Sequence, residues 1–587
     1  MEYILILYLF HHLTISTILK IMNPVMGNSS EINKDATKYI KRTTDPENLE
    51  ASNNKLKELI SKFHEKDIKV VLDGVFNHSG SFNKWLDREG LYEGENGAYE
   101  SKDSPYRDYF VFSEDTWPNN ESYEAWWGYK TLPKLNFEGS KELEESILNV
   151  ASGWVGEGVN ADGWRLDVAA DLGHSAGYNH KFWNIFRNSV KGANNEAVIY
   201  AEVYGDSSGW LNGQEWDSVM NYDAFFEPIS FFLTGMEKHS YYKRDDLKNN
   251  SKNFEKDLRE KMAKLPYNSL LSAMNQLDNH DHSRFITRTT GYVDKERSNS
   301  DVSRPEEADR NENLGILKEA VVFQMTLPGA PTLYYGNEAG VPGFTDPDSR
   351  RTYPWGDENM ELMEFYKDII SIHKKYSCFI NGSMTSLYSK SSGLYSFGRW
   401  DNNYRSVVVF NNNDTEKKIS IPVALLGSND SDIYREIYIT DQNSHVTGKE
   451  SLTVNKGDVS VTIPAFGTKI LMSDVDKPID EISYAIDFIR PKIVATSVEK
   501  NETINMDDSL VVEFDQLMIQ RDVSTGFIIE PKIDGVFSWN GTKVSFTPVA
   551  GWKKGRTYQV LLNRDIRSVA GELSLNEELK FVFNIGE

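Results

Sequence analysis

Four short segments end apolar runs on side chains able to carry acid, base or nucleophile chemistry. They are Val71-Leu72-Asp73-Gly74-Val75-Phe76-Asn77-His78, Asp162-Gly163-Trp164-Arg165-Leu166-Asp167-Val168, Ala201-Glu202-Val203-Tyr204 and Asp278-Asn279-His280-Asp281. Side chains alternate along a strand, so Arg165 and Asp167 share one face and place a cation beside a carboxylate. The guanidinium favours the ionised acid, and an ionised carboxylate can attack a sugar carbon. Glu202 closes the run Ala197 to Tyr200. An acid at the end of a buried strand is costly unless paired or used, and partial burial is what a proton donor to a glycosidic oxygen requires. Taken singly, each segment also fits a strand-end turn or a structural ion pair. Four such ends in one sheet fit neither. Cleavage of a glycosidic bond with retention needs two carboxyl groups about 5 to 5.5 Å apart, which neighbouring strands deliver.

The elements that must hold these residues alternate between short β-rich runs and longer helical patterns from Glu47 to about residue 375, the signature of βα units on a parallel sheet. Strands are expected at Lys69 to Phe76, Asp162 to Val168, Ala197 to Val203, Ser218 to Tyr222, Leu271 to Leu277 and Thr332 to Tyr335, with a helix over Leu49 to Glu65. Acids at the C-terminal ends of parallel strands point to an α/β fold of the (β/α)8 TIM-barrel class, residues 1–375. An excursion over about 79–140, rich in Trp, Tyr and Gly, reads as a long loop at the barrel mouth. From residue 376 to 473 alternating apolar and polar residues read as an antiparallel β-domain, and after a polar linker near Ser473 to Ala485, residues 490–587 read as a small β-sandwich.

Composition narrows the partners. The chain has 587 residues, a formal net charge of -24 and 12% aromatic residues. That charge opposes nucleic acid and anionic membrane and leaves a neutral polymer open. The single cysteine, Cys378, forms no internal disulfide. The apolar Met1 to Met22 run has Glu2 where a signal peptide carries Lys or Arg, and no later run is long enough to span a membrane.

The four segments resemble the sequence regions that define the α-amylase family of glycoside hydrolases, and Leu132-Pro133-Lys134-Leu135-Asn136 is similar to a fifth region typical of its neopullulanase, cyclomaltodextrinase and maltogenic amylase branch. Pro328 to Gly336 resembles the family's eighth barrel strand, so the likeness runs from about Ile21 to Ser473; the last segment looks like a bacterial Ig-like domain. The resemblance implies Asp167 as nucleophile, Glu202 as acid/base and Asp281 as the acid that holds sugar hydroxyls, with His78, Arg165 and His280 lining the same subsite. Trp126 and Trp127 are candidate stacking platforms, with core packing the alternative, and Asn77 stands where many relatives ligate Ca²⁺, although the chemistry needs no cofactor. Asp346 to Arg351 reads as a polar rim loop without an assigned role. The implied activity is retaining hydrolysis of α-1,4-glucosidic bonds in starch, maltodextrin, cyclodextrin or pullulan. Transglycosylation and non-catalytic glucan binding at a surface are the alternatives. The Ig-like segment implies an extracellular or cell-surface location, with the cytoplasm as the alternative. One departure stands out: Ile21 to Val25 reads as the end of the second barrel strand, so the first strand and helix are expected to be missing and the barrel N-terminally incomplete. Lys34, just before Asp35-Ala36-Thr37, also falls where the family has a sugar-stacking tyrosine.

Overall fold

The computed structural model describes residues 3–7, 46–92, 94, 96–294, 305–474, 490–515, 518, 520–540, 542–568 and 574–586. The expected strand end at 21–25, Lys34 and most of the 473–485 linker lie outside the described residues. The chain divides into two units, Met1–Met220 and Asn221–Glu587.

In the first unit five strands, β1 (Tyr3–Leu7), β2 (Ile68–Gly74), β3 (Gly163–Leu166), β4 (Val198–Ala201) and β5 (Ser218–Val219), pair in chain order, all parallel. The parallel neighbour of β2 is Tyr3–Leu7, in register from Tyr3↔Ile68 to Leu7↔Leu72. The sequence Tyr-Ile-Leu-Ile-Leu is the unbroken apolar run that a strand of a parallel sheet calls for. Val70, Val71, Leu72, Trp164, Leu166, Ile199 and Ala201 are all buried, as that class of sheet demands.

Helices α1 (Pro46–His64), α2 (Lys141–Val155) and α3 (Ala176–Ala193) precede β2, β3 and β4. Leu56 and Ile60 bury one stripe of α1. Ser140 and Ser175 cap α2 and α3, their hydroxyls accepting from the amides of Leu143 and Tyr178 at 3.2 and 3.3 Å. At Gly163 a Cβ would sit 2.2 Å from the Val198 carbonyl oxygen, so glycine alone lets β3 close on β4 at this register. That register decides the site. With Leu166 paired to Ala201, the next step places Asp167 beside Glu202 on strands about 4.8 Å apart.

Between β2 and α2 the chain makes no long element. Its turns pack on a small core of Phe82, Leu86, Tyr109, Phe110, Tyr123, Leu135 and Phe137. The isolated bridge His78↔Lys134 stitches this excursion to the end of β2, and Ala125↔Pro133 closes the excursion on itself.

The second unit holds a parallel pair, β6 (Met274–Gln276) and β7 (Ala330–Thr332), with helices α4 (Glu227–Thr234), α5 (Ser251–Met262), α6 (Tyr267–Ser272), α7 (Phe285–Thr289), α8 (Leu314–Thr326) and α9 (Met360–Lys375). The strand expected from Leu271 starts only at Met274, because Leu270 and Leu271 belong to α6. The strand expected at Thr332 to Tyr335 lies two residues earlier. Ser218 to Tyr222 shrinks to two residues because Asn221 instead caps the next helical turn, accepting from the Ala224 amide at 3.2 Å. Helix α8 is buried on every side, and its Phe323 stacks on Phe410 at 3.6 Å between centroids and 2°.

Phe410 belongs to an antiparallel domain made of β8 (Ser383–Tyr388), β9 (Leu394–Trp400), β10 (Tyr404–Asn411), β11 (Lys417–Pro422), β12 (Ile433–Thr440), β13 (His445–Val446), β14 (Ser451–Thr453), β15 (Asp458–Ile463) and β16 (Gly467–Asp474). Its main sheet runs β13-β12-β16-β10-β9-β8, with β11 and β15 paired apart. From residue 493 to 585 two four-stranded sheets share one core that includes Val512, Phe546, Trp552, Val560 and Phe583, a β-sandwich.

Candidate active site

Arg165 organises the first unit's cluster of acids. Its side chain is fully buried, and Nη1 lies 2.8 Å from Asp73 Oδ1 and 2.7 Å from Asp167 Oδ1, while Nη2 lies 2.9 Å from Glu202 Oε2. Nε donates to the Met220 sulfur at 3.4 Å. One planar cation therefore fixes three carboxyl groups from the ends of β2, β3 and β4, a task suited to the rigid fork of arginine. Glu202 Oε2 also accepts from the Val168 amide at 3.1 Å.

Burial by itself pushes the Asp167 carboxyl up. The Arg165 charge, the His78 charge and hydrogen bonds from Arg165 and Glu202 outweigh it, so the group lies below the usual aspartate value. The chain turns sharply just after it. Val168 adopts the left-handed region at φ 38°, ψ 45°, a conformation that costs roughly 1–2 kcal/mol for an L-residue and is least tolerated by β-branched side chains. This turn lets the Ala169 amide donate to the Glu202 carbonyl at 3.2 Å, while the Asp167 amide still donates to the Gly74 carbonyl at 3.0 Å.

His78 is buried and stacks on Trp126 at 5.2 Å and 11°, and Trp126 stacks on Trp127 at 4.9 Å and 22°. Trp126 Nε1 donates to Asp171 Oδ2 at 3.2 Å, and Lys134 Nζ donates to the Asp171 carbonyl at 3.2 Å. The expected Leu132 to Asn136 segment thus lies against the end of β2, with the Leu135 amide donating to the Asn77 carbonyl and the Ser79 amide to the Pro133 carbonyl.

Asn77 is buried, its Nδ2 faces His78 Nδ1 at 3.3 Å, and its Oδ1 has no hydrogen-bond partner among the described residues. No three acidic, histidine or cysteine side chains gather into a metal set among the described residues, and calcium at Asn77 is not shown. No step below passes through a metal.

In the second unit Asp281 follows β6. Its Oδ2 lies 3.3 Å from His280 Nε2 and its Oδ1 3.5 Å from Arg350 Nη2. Thr345 donates to the Asp281 carbonyl at 2.5 Å and Ser349 to the His280 carbonyl at 2.8 Å, so the loop from 345 to 351 clamps this strand end. Arg350 also pairs with Asp346 at 2.6 Å. His282, the next residue, is fully buried; burial first, then the nearby cations, hold its imidazole neutral.

Of the residues expected from sequence, Asp167, Glu202, Arg165, His78, Trp126 and Trp127 come together in the first unit, and His280 and Asp281 adjoin in the second. Asp73 had no role assigned from the sequence, although it sits one residue ahead of the ladder's end. Arg350 was visible as part of a charged loop but had no assigned partner. Asp171 had no signal beyond its spacing of four from Asp167, and the strain at Val168 had none, since a β-branched residue argues against that conformation.

Comparison with known proteins adds three family matches. Residues 51–419 match the family described as "Alpha amylase, catalytic domain", residues 386–474 match "Alpha amylase, C-terminal all-beta domain" and residues 487–584 match "Bacterial Ig-like domain". The amylopullulanase of Thermoanaerobacterium saccharolyticum is 30% identical over 483 residues, which is 77% of this chain and 35% of that protein. Neopullulanase 2 of Thermoactinomyces vulgaris is 33% identical over 368 residues, 62% of this chain and 55% of that protein. The acarbose-soaked crystal structure of the Nostoc punctiforme debranching enzyme is similar with a TM-score of 0.56 and 27% identity, covering 71% of this chain and 78% of that one. The chain thus spans 35% of the length of the first of these curated relatives and 55% of the second.

Proposed function

Because the chain belongs to the α-amylase family of glycoside hydrolases, whose catalytic domain is a (β/α)8 barrel, we propose that it cleaves α-1,4-glucosidic bonds of starch, maltodextrin, cyclodextrin or pullulan in two retaining steps. What supports the reading most is one guanidinium that holds Asp167 and Glu202 side by side, with Glu202 hydrogen-bonded to Asp167.

In the first step the ionised Asp167 carboxylate attacks the anomeric carbon while Glu202 gives its proton to the glycosidic oxygen, and the leaving glucan departs with that proton. A glucosyl ester on Asp167 remains. In the second step Glu202, now ionised, takes a proton from water, the resulting hydroxide attacks the anomeric carbon, and Asp167 leaves with the configuration retained. His78 and Arg165 border the sugar position at Asp167. Asp281, with His280 and Arg350 about it in the second unit, is the third acid that the family likeness implies, a holder of sugar hydroxyls, whose hydrogen bonds strengthen as charge develops. The family's chemistry needs no cofactor. The Ig-like sandwich supports a setting outside the cell or on its surface.

The test is Glu202→Gln in the whole chain, assayed by reducing-sugar release from pullulan, β-cyclodextrin and maltotriose. Turnover is expected to fall by about 10²–10⁴ with glucan binding kept. Unchanged turnover would remove Glu202 from the mechanism. Products longer than the maltotriose supplied would show that a sugar, rather than water, captures the intermediate.

A further inference from the structure

We infer that Trp127 is an outlying stacking platform for the glucan chain and makes the site favour long glucans over short ones, an inference that rests on the function proposed above. Three near-parallel rings, His78, Trp126 and Trp127, rise in two steps of 5.2 and 4.9 Å from the side of Asp167 to the solvent. Trp127 is 78% exposed, so the ring face turned away from Trp126 is open. The exposed indole offers a flat apolar face.

The ring is also held in place. Trp127 sits in the left-handed region at φ 49°, ψ 22°, which non-glycine residues rarely adopt, and such strain collects at binding sites. Trp126 beneath it is tethered to Asp171, whose amide donates to the Val168 carbonyl in the turn that follows Asp167. The middle ring of the ladder is thus tied to the turn that carries the nucleophile, and the top of the ladder is an aromatic face one ring further out. The occupant is a neutral pyranose of the same glucan, because its apolar C–H face matches an indole and the chain's charge of -24 disfavours anionic ligands.

The experiment uses the whole chain carrying Glu202→Gln, so that glucan is bound and not consumed. Trp127→Ala is compared with its parent by retardation in native gels containing pullulan and by calorimetric titration with maltotriose. The expected result is about a tenfold loss of pullulan affinity, equivalent to about 1.4 kcal/mol, with maltotriose affinity unchanged within about twofold. Trp127→Phe should keep most of the pullulan affinity, and Trp127→Leu, apolar but not flat, should behave like the alanine variant. Pullulan affinity that survives Trp127→Ala and Trp127→Leu overturns the inference. An equal loss for pullulan and maltotriose overturns it as well, since it would mark the ring as a support for the inner site. The gel comparison does not depend on turnover, so a catalytically unaffected Glu202→Gln would refute the proposed chemistry and leave the role of Trp127 to be decided by binding.

Discussion

Replacing Arg165 by Met removes a cation that three carboxyl groups share and keeps an unbranched side chain of similar length in its place. Arg165 is fully buried, with Asp73, Asp167 and Glu202 within 2.9 Å of its two terminal nitrogens. A single ion pair at about 4 Å is worth roughly 4 kcal/mol at an effective dielectric of about 20, much of it offset by desolvation; removing one partner of a buried pair costs about 3–5 kcal/mol. That range is the expected loss near pH 8. Its dependence on pH separates a charge effect from a packing effect. In the parent the folded Asp167 lies below its unfolded value of about 3.9, so the stability it contributes is present above that pH and is lost as pH falls through the folded value. Without Arg165 the acids titrate above their unfolded values, so their contribution is present at low pH and is lost as pH rises. The difference between the proteins should therefore shrink steadily from pH 8 to pH 5. Urea unfolding followed by tryptophan fluorescence at pH 5, 6.5 and 8 measures it, using the transition that includes the first unit. A loss under about 1 kcal/mol, or one equal at all three pH values, would refute the view that Arg165 acts by balancing buried charge.

Two further outcomes concern the second unit. Glu319, in α8, is fully buried with neither carboxyl oxygen bonded among the described residues, and burial holds it well above the ordinary glutamate value. Its contribution is complete below the unfolded value of about 4.3 and is lost as pH rises towards the folded one, so Glu319→Gln should gain about 1.4 kcal/mol per pH unit over the parent across that window and nothing at pH 4, as read from urea midpoints. Phe410→Ala removes the ring stacked on Phe323 between α8 and the antiparallel domain and should cost about 3–5 kcal/mol in the same measurement; a cost under about 1 kcal/mol would mean that the domain is not anchored there.

The positions of Asp73, Asp167 and Glu202 were legible because β2, β3 and β4 are largely apolar, and the acid that follows or breaks the run marks the strand's end. The extent of the strands was less legible. Asp162 to Val168 reads as one run, yet only Gly163–Leu166 pairs, because the ladder stops where Val168 turns into the left-handed region, and no pattern of polarity encodes that. Leu270 and Leu271 are apolar in helix or strand alike, so the start of β6 was misjudged. Tyr3–Leu7 was hidden inside a longer apolar stretch whose periodicity did not separate five strand residues from their neighbours. In the excursion, composition revealed a loop, whereas the bridge between His78 and Lys134 depends on residues more than fifty apart and leaves no local trace.

The two central carboxyl groups are chemically alike, so their proposed division of labour has to come from their surroundings. Arg165 offers one unit of charge to three acids, all mostly buried, and leaving two negative charges unbalanced in such a place would cost several kcal/mol each. The cluster is relieved if one acid keeps its proton. Asp167 is drawn down by both Arg165 and His78 and also receives a hydrogen bond from Glu202, which makes Asp167 the acceptor and Glu202 the donor. The nucleophile and the proton donor are thus set apart by the charges each of them faces, and the same guanidinium that keeps one of them ionised holds the other within reach of it. The conservative substitution Arg165→Lys is therefore not neutral. A point charge on a flexible stem can balance charge, but it cannot hold Asp73, Asp167 and Glu202 in one plane.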